Sequence, residues 1–333
     1  MFFSVIIPLY NKAPFVEKAL HSVATQTFSN YELIIVDDGS KDDSATIAER
    51  VIISCWQSLS KSQPVKLIRQ ANAGVSSARN NGVAVSQGQY ICFLDADDWW
   101  EPTFLENIAL LIQEYPDAGI YGTSYTIVNE HKHKTRIAPI GLDKDFEKGY
   151  INYCQVYAKT LCMPLTSIST CIPRHIFEEL GGFNPLLKLG EDFDLWIRIA
   201  LKYKVAFLNK ALANYNQDVD VKQRATQHLH NPKQHMLWNL SYLEPFEKTN
   251  ADYKLLIDKL RAHSLLPYYI SKKYHNDATN ELDKIDWTRL PITYKKTYQK
   301  PIWFLRLKQQ LLKFGSETKQ QIFKTMDAKN FLK

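Results

Sequence analysis

The sequence predicts an α/β fold in which a mostly parallel β-sheet carries helices on both faces. Short apolar runs alternate with helical patterns through the first 125 residues, and runs such as SVIIPL, ELIIV and YICFL are almost continuously apolar. Such runs are typical of strands that are buried on both faces of a parallel sheet. Polar clusters directly follow three of the runs, and ligands of such sheets bind at the carboxyl ends of the strands.

The elements of this first part follow in order along the chain. The expected strands are Ser4–Leu9, Glu32–Val36, Val65–Arg69, Tyr90–Leu94 and Ala118–Val128. The expected helices cover about Pro14–Thr25, Ala45–Gln57, Ser76–Ser86 and Pro102–Glu114. Because helix and strand patterns alternate so regularly, the connections are expected to be crossovers between parallel strands.

The pattern changes after residue 130. Residues 129–149 are polar and are expected to form a surface excursion, and a strand is expected near Thr166–Ile172. A short helix follows at Pro173–Leu180, and another begins at the GED sequence of residues 190–192. Residues 209–235 indicate a polar loop, and from about residue 232 the pattern is mainly helical.

Composition and charge narrow the class of protein. Hydrophobic residues make up 45% of the 333 and charged residues 23%, as in ordinary globular proteins, and the five cysteines favour a reducing compartment. The apolar start of the chain is interpreted as a strand, because no basic residue precedes it. Residues 291–333 contain ten Lys or Arg residues and two acidic residues, which is a net charge of +8. Because the whole chain has a net charge of +6, residues 1–290 have a net charge of −2.

The sequence FLDADDWW, residues 93–100, places three acids at the end of a buried strand. Two carboxylates such as Asp95 and Asp97 can bind Mg²⁺ or Mn²⁺ together, and the ion then accepts phosphate oxygens as further ligands. The alternative is that Asp97 or Asp98 caps the following helix, although capping requires only one acid. The pattern therefore favours a site for a metal and a nucleoside diphosphate.

Two further segments of this first half carry candidate ligand-binding residues. In VDDGS, residues 36–40, an acid at a strand end is placed to accept hydrogen bonds from a ribose or a base, but the same residues also form turns. The small residues of NAGVSSARNNG, 72–82, let a ligand approach the backbone, and Arg79 lies among them. Arg79 could pair with phosphate oxygens, or it could simply be a surface residue.

The segment LGGFNPLLKLGEDFDLWIRIA, residues 180–200, contains the candidate general base. Glu191 and Asp192 begin an amphipathic helix, and Asp192 shares a helix face with Trp196. An acid in the first turn also stabilises a helix through its dipole, so capping is the simpler interpretation when the segment is considered alone. The functional interpretation is a carboxylate that takes a proton from an attacking hydroxyl group.

The basic C-terminal segment leaves two interpretations open. Apolar residues alternate with Lys and Arg in KPIWFLRLKQQLLKFG, residues 300–315, which can lie on an anionic membrane surface. The same pattern is typical of a terminal helix whose apolar side packs on the protein. Nucleic acid is not expected as a partner, because the first part of the chain has no basic patch.

Taken together, the segments SVIIPLYNK, VDDGS, NAGVSSARNNG, FLDADDWW and GGFN with GEDFDLWIR resemble the family 2 glycosyltransferases of the GT-A fold. The similarity covers roughly residues 1–215 and includes five motifs in the family's order. It implies a catalytic domain at 1–215, with a nucleotide-binding half at 1–125 and an acceptor-binding half at 126–215. Residues 216–333 would form a helical, basic C-terminal region.

The resemblance also implies roles for single residues. It implies nucleotide contacts at Pro8, Tyr10, Asp37, Asp38, Arg79, Asp95 and Ala96. It implies a site for Mn²⁺ or Mg²⁺ at Asp97 and Asp95, with Asp97 the direct ligand and Asp95 nearer the ribose. Asp192 corresponds to the catalytic base, and Glu191 and Trp196 to acceptor-side residues.

The implied reaction is inverting, single-step transfer of a sugar from a nucleoside-diphosphate donor, expected to be a UDP-sugar, to a glycan or glycolipid. A role in bacterial surface polysaccharide or lipopolysaccharide synthesis would fit, with a cytoplasmic location on or near the inner face of the membrane. A sugar nucleotidyltransferase and a non-catalytic sugar-binding module are the alternatives. The loop PLYNKAPF lacks the glycine-rich sequence that a nucleotidyltransferase usually has, and the candidate base and metal ligands are all present.

Overall fold

A computed structural model describes residues 1–57, 62–218, 228–309 and 311. The chain divides into two compact units, Met1–Leu256 and Ile257–Lys333. Across the described residues, no helix combines the length and the apolar composition that crossing a bilayer requires. The first unit contains the sheet and every candidate site residue.

The first unit is built on a ten-stranded sheet with the strand order β3-β2-β1-β4-β9-β6-β10-β5, where β7 pairs with β6 and β8 with β10. The strands are β1 Phe3–Leu9, β2 Tyr31–Asp37, β3 Val65–Arg69, β4 Tyr90–Phe93, β5 Trp99–Trp100, β6 Ala118–Asn129, β7 Lys134–Ile137, β8 Lys148–Ile151, β9 Thr170–Pro173 and β10 Lys204–Asn216. The main helices of this unit are α1 Val16–Ala24, α2 Ser44–Ile52, α3 Val75–Ala84, α4 Phe104–Glu114, α5 Tyr153–Thr160, α6 Arg174–Glu179, α7 Glu191–Lys202 and α8 Glu244–Thr249.

The α/β fold class is confirmed, and the predicted parallel pairing holds for one half of the sheet. Strands β3, β2, β1 and β4 are parallel neighbours. The other half is mixed, because β9 pairs antiparallel with both β4 and β6, while β10 is parallel to β6. Hairpin connections such as the one between β6 and β7 are too short for a parallel crossover, so they impose antiparallel pairing.

Two predictions about the second half need correction. Residues 131–137 are exposed, as expected of a surface excursion, but the segment 129–149 also contains β7 and the start of β8. The expected polar loop from residue 209 begins inside a strand, because β10 runs to Asn216. Its register shifts on β6 twice between Leu208 and Ala213, and such bulges interrupt the alternation by which a half-buried strand is usually recognised.

Close packing explains why the sequence of α3 is rich in small residues. A Cβ atom added to Gly82 would lie 2.4 Å from Ile6 Cγ2 on β1, a distance that would force one of the two elements to move. Glycine at this position therefore lets α3 lie directly on the sheet. This contact fixes the helix that carries Arg79 relative to the carboxyl ends of the strands.

The second unit is helical. Its elements are the C-terminal part of α9 Ala251–Ser264, then α10 Leu266–Tyr269, α11 His275–Leu282 and α12 Ile292–Tyr298, and residues 302–309 are also helical. The side chain of Arg261 is 2% exposed, and it forms ion pairs with Asp258 and Glu281. Mainly helical structure toward the C-terminus agrees with the sequence pattern.

Candidate active site

The three polar clusters that follow β1, β2 and β4 meet at one edge of the sheet, as expected for parallel neighbours. The connections after β1 and β2 are joined directly, since the amide N–H of Asn11 donates to Ser40 Oγ at 3.1 Å. The connections after β1 and β4 are joined by Lys12, whose Nζ lies 2.7 Å from Asp97 Oδ2. The candidate site is therefore a continuous polar surface.

The two acids of VDDGS have different hydrogen-bond partners. Asp37 Oδ1 accepts a hydrogen bond from the amide N–H of Ser40 at 3.0 Å, which is the arrangement of a turn-forming aspartate. Asp38 is buried, and its carboxylate accepts hydrogen bonds from Gln70 Nε2 and from the amide N–H groups of Ala73 and Gly74, at 2.7–2.9 Å. Asp38 thus holds the loop that leads into α3, and its contact with a nucleoside stays a prediction.

Pro8 and Tyr10 lie at the carboxyl end of β1. Pro8 is partly buried, whereas the ring of Tyr10 is 40% exposed. Asn11, which follows them, has a φ of 51°, so the chain turns sharply there. Tyr10 is consequently presented at the surface of the site, where a planar ligand could contact it.

Arg79 connects the two halves of the site. Its side chain is 4% exposed, with Nη2 2.7 Å from Asp95 Oδ1 and Nη1 3.2 Å from Glu191 Oε1. The guanidinium carbon also lies 5.0 Å from the centre of the Phe183 ring. Burial opposes the charged form, but the carboxylates of Asp95 and Glu191 outweigh it and raise the pKa of Arg79. In this structure Arg79 orients carboxylates, and its predicted contact with phosphate oxygens stays a prediction.

Asp192 is a partly buried acid in the first turn of α7. Burial raises its pKa to about 7, and the neighbouring Glu191 carboxylate contributes to the shift. The amide N–H of Phe193, which donates to Asp192 Oδ1 at 2.7 Å, and the charge of Arg79 act in the opposite direction. A carboxylate with a pKa near neutrality can exchange a proton at physiological pH, which is the property of a general base.

Two tyrosines of α5 contribute to the surroundings of Asp192 and were not recognised in the sequence. Burial raises the pKa of Tyr153 and of Tyr157, and the charge of Asp192 adds to the effect on both. Among the described residues, the hydroxyl group of Tyr153 has no hydrogen-bond partner. These two aromatic residues of α5 are thus close enough to the candidate base to be affected by its charge.

The three acidic residues of FLDADDWW differ in how much of each side chain is exposed to solvent. The side chains of Asp95 and Asp97 are 31% and 18% exposed, whereas Asp98 and Ala96 are each 2% exposed. Asp98 accepts a hydrogen bond from the amide N–H of Asn216 at 2.7 Å, so it anchors the turn to the end of β10. Burial and the charges of Asp97 and Asp95 raise the pKa of Asp98 well above its ordinary value.

The donor set of this turn fits a hard divalent cation. Asp95 and Asp97 offer accessible carboxylate oxygens, the ligands that Mg²⁺ and Mn²⁺ prefer. Within the described parts of the chain, no cluster of three or more His, Cys, Asp or Glu side chains could enclose a metal ion. Two carboxylates would leave the other coordination positions of such an ion to water and phosphate oxygens.

A cleft of about 480 Å³ opens beside Asp97. It is lined by Pro14, Phe15, Lys18, Asp97, His131, His133, Asn216 and Asp218. His131 and His133 are exposed, and the fold places them next to the acidic turn because they lie between β6 and β7. Nothing in their sequence spacing indicates this proximity.

The loop between α6 and α7 is held by two side chains that the sequence analysis did not select. Asn80, next to Arg79, donates to the carbonyl oxygen of Phe183 at 2.8 Å and accepts from its amide N–H at 3.0 Å. Arg198 pairs with Asp194 at 2.8 Å and donates to the carbonyl oxygen of Gly182 at 2.7 Å. These contacts fix the loop that precedes Asp192.

Trp196 has a different environment from the one expected. Its side chain is 0% exposed, and its ring packs edge-on against Phe183 with 5.9 Å between centroids. A helix face shared with Asp192 does not guarantee exposure, because the next turn of α7 lies in the core. His235 is also buried, and burial lowers its pKa to about 4.

A family model and the relatives found by sequence comparison point to the same protein family. The sequence model of the protein family described as "Glycosyl transferase family 2" matches residues 4–179. Glycosyltransferase GlyA of Streptococcus pneumoniae is 34% identical over 219 residues, which are 64% of this chain and 30% of GlyA. The uncharacterized glycosyltransferase RC0461 of Rickettsia conorii is 30% identical over 242 residues, 71% of this chain and 37% of that protein. The chain therefore spans about a third of the length of these two relatives.

The fold also matches a solved structure. The crystal structure of S. aureus TarS 1–349 in complex with UDP-GlcNAc superposes with a TM-score of 0.69 and 19% sequence identity. The match covers 88% of this chain and 83% of the TarS chain. At this level of identity the similarity concerns the fold, and it confirms the predicted architecture of a sheet with flanking helices and a helical C-terminal part.

Proposed function

This chain belongs to glycosyltransferase family 2, and from that membership we propose that it transfers a sugar from a UDP-sugar to a hydroxyl group of a glycan or glycolipid, with inversion. The observation that supports the proposal best is the chain of contacts Asp95–Arg79–Glu191, which places the candidate metal turn beside the candidate base Asp192. The choice of uridine is favoured by the fold shared with TarS, whose structure contains UDP-GlcNAc.

The proposed reaction assigns one step to Asp192. Its carboxylate takes the proton of the acceptor hydroxyl group, and the acceptor oxygen forms a bond to the anomeric carbon of the donor sugar. The bond from that carbon to the phosphate oxygen breaks, and its electron pair leaves with UDP. Because the acceptor attacks the face opposite the departing phosphate, the configuration at the anomeric carbon is inverted.

The other site residues hold the donor in this proposal. Asp38, Tyr10 and Pro8 would line the nucleoside site, with Asp37 and Ala96 supporting it. Asp95 and Asp97 would hold Mg²⁺ or Mn²⁺, and such an ion supplies positive charge that stabilises the leaving diphosphate. Glu191 is assigned to the acceptor side through its position next to Asp192, whereas Trp196 is not, because its side chain has no exposed surface.

We expect the protein to release UDP from a UDP-sugar in the presence of Mn²⁺, and to do so faster than it acts on GDP- or dTDP-sugars. The measurement is a panel of nucleotide sugars, with free nucleoside diphosphate and pyrophosphate quantified separately. Chelation with EDTA should abolish the release, and added Mn²⁺ or Mg²⁺ should restore it.

The products distinguish the alternatives. A sugar nucleotidyltransferase would release no nucleoside diphosphate from a nucleotide sugar. It would form pyrophosphate only from a nucleoside triphosphate and a sugar 1-phosphate, which a parallel assay supplies. A sugar-binding module would bind a nucleotide sugar and give neither product in either assay. Full turnover in EDTA would contradict the role of Asp95 and Asp97 in holding a metal. The acceptor, and a role in surface polysaccharide or lipopolysaccharide synthesis, are part of the proposal that this panel does not address.

The C-terminal residues 291–333 are proposed to bind an anionic membrane surface peripherally. Support comes from their charge of +8 and from exposed apolar side chains in the described part, with Trp303 67% and Leu307 47% exposed. We expect the protein to sediment with vesicles that contain phosphatidylglycerol but not with neutral vesicles, and to be released by salt. Equal sedimentation with both kinds of vesicle would contradict the electrostatic part of the proposal.

A further inference from the structure

The backbone at Lys12 is fixed by its neighbours at the end of β1. The amide N–H of Lys12 donates to Ser44 Oγ at 2.7 Å, at the start of α2. Asn11 Oδ1 accepts a hydrogen bond from the amide N–H of Lys41 at 2.8 Å. Because the backbone is held on both sides, a movement of the Lys12 ammonium group would have to come from its flexible four-carbon side chain.

The ammonium group of Lys12 lies on the carboxylate to which the metal is assigned. Nζ is 2.7 Å from Asp97 Oδ2, and the two side chains are only 24% and 18% exposed. A pair shielded to this extent is less weakened by solvent and salt than a fully exposed pair. A divalent cation at Asp97 would compete with Lys12 for the same oxygen and would repel its charge.

The other basic side chains of the site have different partners. Both Nη atoms of Arg79 are used by Asp95 and Glu191, and the side chain is 4% exposed. Lys18, which lines the cleft beside Asp97, has its Nζ 3.2 Å from the centre of the Trp99 ring. Lys12 is thus the basic residue whose ammonium group would lose its observed ion-pair partner when a cation binds Asp97.

We propose that Lys12 is a positioning residue that couples the binding of the divalent cation to the binding of the diphosphate. The cation displaces the Lys12 ammonium group from Asp97, and the released group pairs with an oxygen of the diphosphate. The binding of each ligand therefore increases the affinity of the protein for the other, and this coupling is reciprocal. The inference rests on the proposed function, because it takes the donor to be a nucleoside diphosphate.

The test measures Mn²⁺ binding through the electron paramagnetic resonance signal of the free ion, with and without UDP. In the wild-type protein we expect UDP to increase Mn²⁺ affinity by roughly 10-fold or more. In Lys12→Met we expect Mn²⁺ alone to bind more tightly than in the wild type, because its competitor is gone. The increase caused by UDP should then fall by about 5-fold or more, within the range of typical coupling.

Two variants control for charge and for folding. Lys41→Met removes a positive charge from the exposed neighbouring loop and should leave the coupling as in the wild type. Lys12→Arg keeps the positive charge and should retain much of the coupling. Circular dichroism and thermal melting show whether each variant is folded, and Mn²⁺ binding in the absence of UDP shows whether the metal site is intact.

The outcomes separate this inference from the proposed function. If the wild type and Lys12→Met both bind Mn²⁺ and UDP with the same coupling, Lys12 has no such role and the proposed function stands. Weaker binding of Mn²⁺ alone in Lys12→Met would also overturn the inference, since Lys12 would then support the metal site rather than compete for it. Failure of the wild type to bind UDP at any Mn²⁺ concentration would overturn both.

Discussion

Replacing Asp192 by asparagine is expected to lower kcat by roughly 10²–10⁴-fold, the usual contribution of a general base. The affinity for UDP should change by no more than about 3-fold, because the lost interaction belongs to the transition state rather than to donor binding. The measurement is steady-state transfer together with isothermal titration of UDP and Mn²⁺. The same substitution at an exposed position, Asp143→Asn, serves as the control. It should keep the wild-type rate, since the Asp143 side chain is 86% exposed.

The pH dependence of kcat/KM provides a second test of Asp192 as the general base. Because burial raises the pKa of Asp192 to about 7, the wild-type kcat/KM should rise with pH and level off above about pH 7. The residual rate of Asp192→Asn should lack this rise. Wild-type transfer rates in the variant, or a wild-type profile that is flat between pH 5 and pH 8, would contradict the assignment.

Stability provides a control for misfolding of this variant. A carboxyl group whose pKa rises from 3.8 to about 7 on folding holds its proton more tightly in the folded state. Its contribution to the free energy of unfolding is therefore present at low pH and is lost as the pH rises from about 4 to 7. At pH 8, Asp192→Asn should be at least as stable as the wild type, so a loss of activity there cannot be attributed to unfolding.

Arg79→Met is expected to destabilise the first unit by about 3 kcal/mol, because breaking a buried ion pair leaves charges without a partner. The estimate is at the low end of the usual range, since the side chain of Asp95 is 31% exposed and solvent screens its charge. The melting temperature should fall by roughly 6–12 °C. Arg136→Met, a change of an exposed arginine on β7, should have little effect.

The cause of that destabilisation can be tested by neutralising the two carboxylates. If unpaired negative charges on Asp95 and Glu191 are responsible, adding Asp95→Asn and Glu191→Gln to Arg79→Met should recover part of the lost stability. A deficit that these two changes leave unaltered would show that packing against Phe183, and not charge, is the main contribution of Arg79.

Much of the first half of the fold could be predicted from local sequence. Continuous apolar runs identify β1, β2 and β4 to within one residue at each end, because strands buried on both faces have to be apolar throughout. The bounds of β3 are also as predicted, although it is an edge strand in which Lys66 and Arg69 are exposed. Since parallel strands end at one edge, the meeting of the connections after β1, β2 and β4 also followed from the order of the elements.

The second half could not be predicted to the same extent. β10 was missed because its bulges and its partly exposed residues interrupt the periodicity on which a strand assignment depends. Trp196 was assigned to the acceptor side from its spacing to Asp192, yet spacing on a helix defines only a face and not what covers it. Burial depends on neighbouring elements, here on Phe183 in a loop that is distant in sequence.

The α/β class, the family resemblance and the residue types of the candidate site can be derived from the sequence, because they depend on local patterns and on the order of motifs. Which charges are paired becomes evident only in three dimensions. The tertiary structure places Lys12 on Asp97 across 85 residues and joins Asp95 to Glu191 through Arg79. It also buries Asp192 enough to bring its pKa near neutrality. Desolvation and Coulomb interactions depend on distances in space, and the spacing of residues along a chain does not determine those distances.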